Sequence, residues 1–263
     1  MKTAAKQERL SRARSRGEGA FTMVEIAICI AIVAFALVAI IGVMPTGLQA
    51  QKENREDTLV NQDGQLWVDA IRAGAQGLDY LTNHVDVILR VRESAAGART
   101  NAFTYGAGFR SGRDIVGLLT VPMFVNGPGE TNYALAFVRS IAGTAADLEG
   151  GTNAMGFTYR LKVVLAPMLT AAATQTNFQE AALSPEWRLA RSNNFVRARQ
   201  TEANFHELRV ALQWPVYTMG GRLHVGRNRR VFRTLCPGMV VATNGTAAAE
   251  LYFIRPLQFM ANR

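Results

Sequence analysis

Nineteen consecutive residues, Ile26 to Met44, carry no charge. At ~1.5 Å rise per residue such a run spans roughly 28 Å as a helix, close to the ~30 Å of a bilayer's hydrocarbon core. Ile, Ala, Val, Leu and Phe occupy every side of that helix, so it has no polar face to turn to water. A chain built around this segment must place it in lipid or among other apolar helices. One carboxylate, Glu25, stands at its mouth, and the next charge is Lys52. A carboxylate at that depth is costly unless it has a partner.

The residues ahead of the span are basic. Lys2, Lys6, Arg9, Arg12, Arg14 and Arg16 stand against Glu8 and Glu18, a net of +4. The positive-inside rule places this leader in the cytoplasm and the rest of the chain across the membrane. Three readings compete. A secretory signal cut after Ala50 needs a shorter apolar region and a small residue where Leu48 stands. A plain membrane anchor accounts for everything except Glu25 and the small pair Gly19-Ala20. The third reading is a leader cut ahead of the span.

Gly19-Ala20/Phe21-Thr22-Met23-Val24-Glu25, followed by the apolar run, resembles the processing site of type IV pilins and pseudopilins. Leader charge, small residues, Phe, Glu and span occur in the family's order. The resemblance implies that Gly19, Ala20 and Phe21 form the cleavage site. A prepilin peptidase would cut before Phe21 and N-methylate it. Ala20 departs from the family's usual Gly at that place. The resemblance also implies that Glu25 pairs with the new Phe21 amine of a neighbouring subunit, a contact that offsets the cost of burying both charges. The partners it implies are the peptidase, other pilin or pseudopilin subunits, an inner-membrane assembly platform and the lipid bilayer. The implied location is the inner membrane, single-pass, with the head periplasmic, and then a pilus or periplasmic pseudopilus.

Beyond the span, Gly42 and Pro45 predict a bend near 41–45. Helical spacing then resumes through Leu48, Lys52, Arg55, Leu59, Asp63, Leu66 and Ala70. Trp67 and Ile71 widen its apolar stripe, with stops at Gly74 and Gly77. A second short helix is expected over Asp79–Arg92. From about residue 95 the pattern predicts strands at Ile115–Val125, Tyr133–Ile141, Phe157–Leu165, Glu207–Trp214, Arg229–Leu235 and Leu251–Ile254. The clearest alternates Leu208, Val210, Leu212 and Trp214 with polar residues, a half-buried antiparallel strand. The 14 residues Pro215–Asn228 are expected to be a long hairpin loop. The fold class is therefore α+β: a long kinked N-terminal helix, first half transmembrane, packed on an antiparallel β-sheet head, pilin-like by resemblance. The expected divisions are the leader 1–20, a transmembrane or filament-core helix 21–45, a periplasmic helical segment 46–94 and a β-rich head 95–263.

Loss of the leader takes the net charge from +9 to +5. The remaining basic residues cluster at Arg188–Arg199 and Arg222–Arg233. A solvated surface is the plainer reading; a nucleic-acid or polyanion contact at Arg227, Arg229, Arg230 and Arg233 is the sharper one. Cys29 lies in the span and Cys236 in the head, so the two are not expected to pair. The three histidines lack metal-ligand spacing, and no nucleophile elbow or phosphate-binding fingerprint occurs. No cofactor, metal site or catalytic residue is expected. Tyr105–Gly112 reads as a loop, Asp147–Asn153 as a surface turn rather than a Ca²⁺ loop, and Asn244-Gly245-Thr246 as a turn. The resulting expectation is a structural subunit, a minor pilin or pseudopilin, rather than an enzyme. The alternative is a membrane-anchored periplasmic binding domain that never polymerises.

Overall fold

The computed structural model describes residues 22–74, 78–125, 127, 129–142, 157–169, 184–245, 249–256 and 258–259. The processing site and the 147–153 turn lie outside them. Two compact units divide between Glu53 and Asn54.

The first unit is helical. It holds the N-terminal part of helix α1 (Met23–Ala73), and every residue from Thr22 to Arg55 is exposed. The helix is long and apolar enough to cross a bilayer. Helix α1 runs on through Gly42 and Pro45, where the bend is expected. Pro45 has no N–H for the preceding turn, and the neighbouring Thr46 hydroxyl donates to the Val43 carbonyl (2.7 Å).

The second unit is α+β. A six-stranded antiparallel sheet has the order β2-β1-β3-β4-β5-β6, formed by β1 (Val85–Ser94), β2 (Gly97–Thr104), β3 (Glu130–Arg139), β4 (Thr158–Pro167), β5 (Phe205–Met219) and β6 (Arg222–Pro237). A separate hairpin pairs β7 (Met239–Asn244) with β8 (Glu250–Arg255). Helix α2 (Gly112–Leu119) packs on β8, and helix α3 (Pro185–Asn204) leads directly into β5. The C-terminal stretch of α1 buries Leu59, Val60, Asp63, Gly64, Trp67, Val68, Ala70 and Ile71. In the same core lie Tyr159, Leu161 and Val163 of β4 with Leu208, Val210 and Leu212 of β5. A fully buried side chain of that size contributes about 1.5–3 kcal/mol, so this stripe anchors the helix end to the sheet. Gly64 permits close approach. A Cβ there would lie 2.1 Å from the Phe232 ring of β6.

Several expectations need correction. The helix foreseen over Asp79–Arg92 is a single 3-10 turn at Asp79–Asn83 followed by β1. The sheet therefore starts at Val85, inside the segment expected to be helical up to 94. Val85, Val87, Ile88, Leu89 and Val91 suit a strand with apolar residues on both faces, which helical spacing imitates. The strand foreseen at Ile115–Val125 is not formed: its first five residues end α2, and the rest is irregular apart from an isolated bridge at Pro122. A capping box decides it: Ser111 Oγ accepts from Asp114 N (3.2 Å), and Asp114 Oδ2 accepts from Ser111 N (3.3 Å). Helix α3 was not foreseen, although Ser184-Pro185-Glu186 is a helix start, with Ser184 Oγ accepting from Trp187 N.

The long loop Pro215–Asn228 is mostly strand. β5 and β6 pair out to Met219 and Arg222 around Gly220-Gly221, both at positive φ (60° and 74°). A two-residue turn with left-handed φ at both positions matches the twist of the flanking strands. Pro215 sits where the register shifts between Trp214 and Val216, the place a ladder tolerates a missing donor. The other five expected strands occur, and β5 buries Leu208, Val210, Leu212 and Trp214 as its alternation requires.

Candidate functional site

Glu25 lies in the first turn of α1, exposed, with its backbone N–H donating to Thr22 Oγ1 (3.3 Å). Behind it, Ile26, Ile30, Val33, Phe35, Leu37 and Ile41 all face outward. Apolar surface on every side of a helix is far more than a monomer leaves in water. The arrangement provides a single carboxylate at the head of a cylinder that requires lipid or other helices around it. Gly19, Ala20 and Phe21 fall outside the described residues.

A second set of residues ties the end of α1 to the sheet, and helical spacing alone does not reveal it. Asp63 is fully buried. Its carboxylate accepts from the backbone N–H of Ile141 (Oδ2, 3.0 Å) and of Ala142 (Oδ1, 2.8 Å), just past β3. Trp67 Nε1 donates to the Tyr159 hydroxyl (2.9 Å), which is itself hydrogen-bonded to Asp63. Burial, then the adjacent Asp63 carboxylate, pushes the Tyr159 hydroxyl well above its usual range. Two turns before Asp63, Glu56 Oε2 accepts from Trp214 Nε1 of β5 (3.1 Å). A buried carboxylate costs little only when donors surround it. Asp63 therefore makes a fixed register between helix and sheet, and the clue in the sequence was an acid on the apolar stripe.

The four arginines read as one patch do not share a face. Arg230 turns toward α1, its Nη1 donating to Asn61 Oδ1 (2.6 Å) and its Nη2 3.7 Å from Asp57 Oδ2. Arg229 and Arg233 point to the opposite side of the sheet, where the register places them with Arg160, Lys162 and Arg209. Arg227 is exposed at the register shift. Alternation along β6 forces the split: neighbouring residues of a strand face opposite ways. The Arg188–Arg199 group belongs to α3.

Both cysteines are free. Cys236 is buried, which pushes its thiol up to about 11. Its cross-strand neighbour His206 is also buried, and Nδ1 of that ring has no hydrogen-bond partner. Among the described residues, no group of three or more His, Cys, Asp or Glu is placed to hold a metal ion.

No family model, no curated protein and no solved structure matches the chain.

Proposed function

We propose that the chain is a pilin-like structural subunit, a minor pilin or pseudopilin of a type IV pilus or type II secretion-like filament. The observation that carries the reading is an ordered series: basic leader, Gly19-Ala20, Phe21, Glu25 and an apolar span, in that sequence. Two structural features support it. The apolar part of α1 is exposed on every side, as a segment that moves from lipid into a helical bundle must be. The far end of the same helix is built into an antiparallel head through Asp63 and Trp67.

In this reading a prepilin peptidase cuts before Phe21. The freed amine, with an ordinary pKa of about 8, pairs with Glu25 of an adjacent subunit. Neither charge is comfortable alone among apolar helices, so the pair favours one register of association. The head stays outside the bundle and gives the subunit its particular surface.

The test is co-expression with a prepilin peptidase and mass spectrometry of the mature N-terminus. The expected product starts at N-methylated Phe21. A chain that keeps its leader, or starts elsewhere, overturns the reading. The competing account, an anchored binding domain that does not polymerise, expects tagged protein only in the membrane fraction and never in sheared filaments.

A further inference from the structure

Beyond the end of α2, strands β1, β2, β3 and β8 and the segment 121–125 line an open cavity of about 410 Å³. That is within the usual size of small-molecule sites. Its floor is Arg90, with Arg92 two residues along the same strand and therefore on the same face. Across the ladder, Asn101 stands opposite Arg90 and Arg99 stands opposite Arg92. Two arginines directly opposed on neighbouring strands repel. Arg92 is turned toward Glu130 (3.7 Å). The side chains of Arg99 and Asn101 have no hydrogen bond or ion pair with any described residue.

Arg90 is held in place from three sides. Its Nε donates to the Leu118 carbonyl (3.0 Å) and its Nη2 to that of Gly117 (2.9 Å), both at the end of α2. Its guanidinium lies over the rings of Phe103 (5.7 Å) and Tyr252 (5.4 Å). Among the described residues, no carboxylate lies within ion-pair distance of it. Burial pulls its pKa down to about 10, so it remains a cation at neutral pH. The cavity thus holds a rigid, partly desolvated positive charge whose fork is already engaged by the end of α2.

Charge balance restricts the ligand. Arg90, Arg92 and Arg99 stand against Glu130 and Glu250, leaving one positive charge unmatched. Glu250 is engaged by the Tyr252 hydroxyl. A singly charged ligand neutralises the site, whereas a polyanion would bring its excess charge against Glu130 and Glu250. The Asn101 amide suits a hydroxyl group, and Asn132, whose Nδ2 donates to the Met123 carbonyl (3.3 Å), also lines the cavity.

We propose that this cavity binds a hydroxylated monocarboxylate, the chemistry of a uronic acid residue. Arg99 and Arg92 would clasp the carboxylate, Asn101 a hydroxyl, and Arg90 would set the field of the pocket without moving. The site belongs wholly to the head, so it stands or falls independently of processing and assembly.

The experiment is calorimetric titration of the full chain in detergent micelles with glucuronate, glucose and glucose 6-phosphate. Arg99→Gln serves as the variant, because that side chain is exposed on the edge strand and no described residue depends on it. The expected result is glucuronate bound at least tenfold more tightly than either other sugar, with at least a tenfold loss in Arg99→Gln. Circular dichroism of the variant, matching the parent, would show that the fold is kept. Absence of glucuronate binding, equal binding of glucose, preference for the phosphate, or unchanged affinity in the variant each overturns the proposal.

Discussion

The indole of Trp67 donates to the hydroxyl of Tyr159 across 2.9 Å, in complete burial, and so joins helix α1 to strand β4. The Tyr159 hydroxyl in turn meets Asp63, which holds the backbone just past β3. Removing that hydroxyl orphans a buried donor. Tyr159→Phe should therefore cost about 1–3 kcal/mol. Denaturant titration of the full chain, followed by tryptophan fluorescence, measures it. Asp63→Ala, which strands two backbone donors at Ile141 and Ala142, should cost more than Tyr159→Phe.

Gly64 and Phe232 form a coupled pair. In an otherwise unchanged chain, Gly64→Ala sets a new methyl group against the Phe232 ring, a penalty of about 1–3 kcal/mol. Better helix propensity returns about 1 kcal/mol, so the net effect should be destabilising or neutral. In a Phe232→Ala background the clash is absent, and the same substitution should stabilise by about 1 kcal/mol. A double-mutant cycle with no coupling would refute the close approach.

Arg230 and Arg229 are neighbours with different jobs. Arg230→Ala loses contacts to Asn61 and Asp57 of α1. Both are partly solvated, so the expected loss is about 0.5–1 kcal/mol. Arg229→Ala, on the outer face, should leave stability within about 0.5 kcal/mol of the parent. Equal effects in thermal unfolding would contradict the split of the basic cluster.

His206 predicts a pH dependence. Burial lowers its pKa below 6.5, with a Gly238 backbone hydrogen bond opposing in part. The unfolded state thus takes up a proton that the folded state refuses. The neutral ring's contribution is complete above about pH 6.5 and is lost as pH falls toward the lowered folded value. The slope from one such group is at most about 1.4 kcal/mol per pH unit. His206→Leu should flatten stability between about pH 7 and pH 5 relative to the parent. An unchanged slope would remove His206 from the account.

Glu25→Ala should leave the apolar helix in the membrane, because nothing in the span is altered. The proposed pilin-like role expects a defect in assembly: less subunit in sheared filaments, with normal amounts in the membrane fraction. Normal incorporation would show that the carboxylate has no intermolecular partner.

Much of this molecule was legible one residue at a time. An uncharged run longer than a strand or an ordinary core helix has few physical homes, so the apolar helix followed from composition alone. The alternation of Leu208, Val210, Leu212 and Trp214 specified both strand β5 and its buried face. Short apolar stretches were harder. Ile115–Leu119 carries strand-favouring residues, yet the Ser111–Asp114 capping box begins a helix there. Val85–Val91 looks apolar at helical spacing because both faces of β1 are covered.

The charged residues divide in the same way. Residues 1–20, Phe21 and Glu25 form a local pattern, and the reading proposed for them rests on their order in the chain. Arg229 and Arg230 are adjacent in sequence but lie on opposite faces of a strand, so their roles depend on what packs against each face. Asp63, Trp67 and Tyr159 come from segments up to 96 residues apart. Arg90 and Tyr252 are farther apart still, and only the meeting of β1 with the β7–β8 hairpin makes a cavity of them. Periodicity and order reside in the chain itself; a buried hydrogen bond or a lined pocket exists only once distant strands are in register.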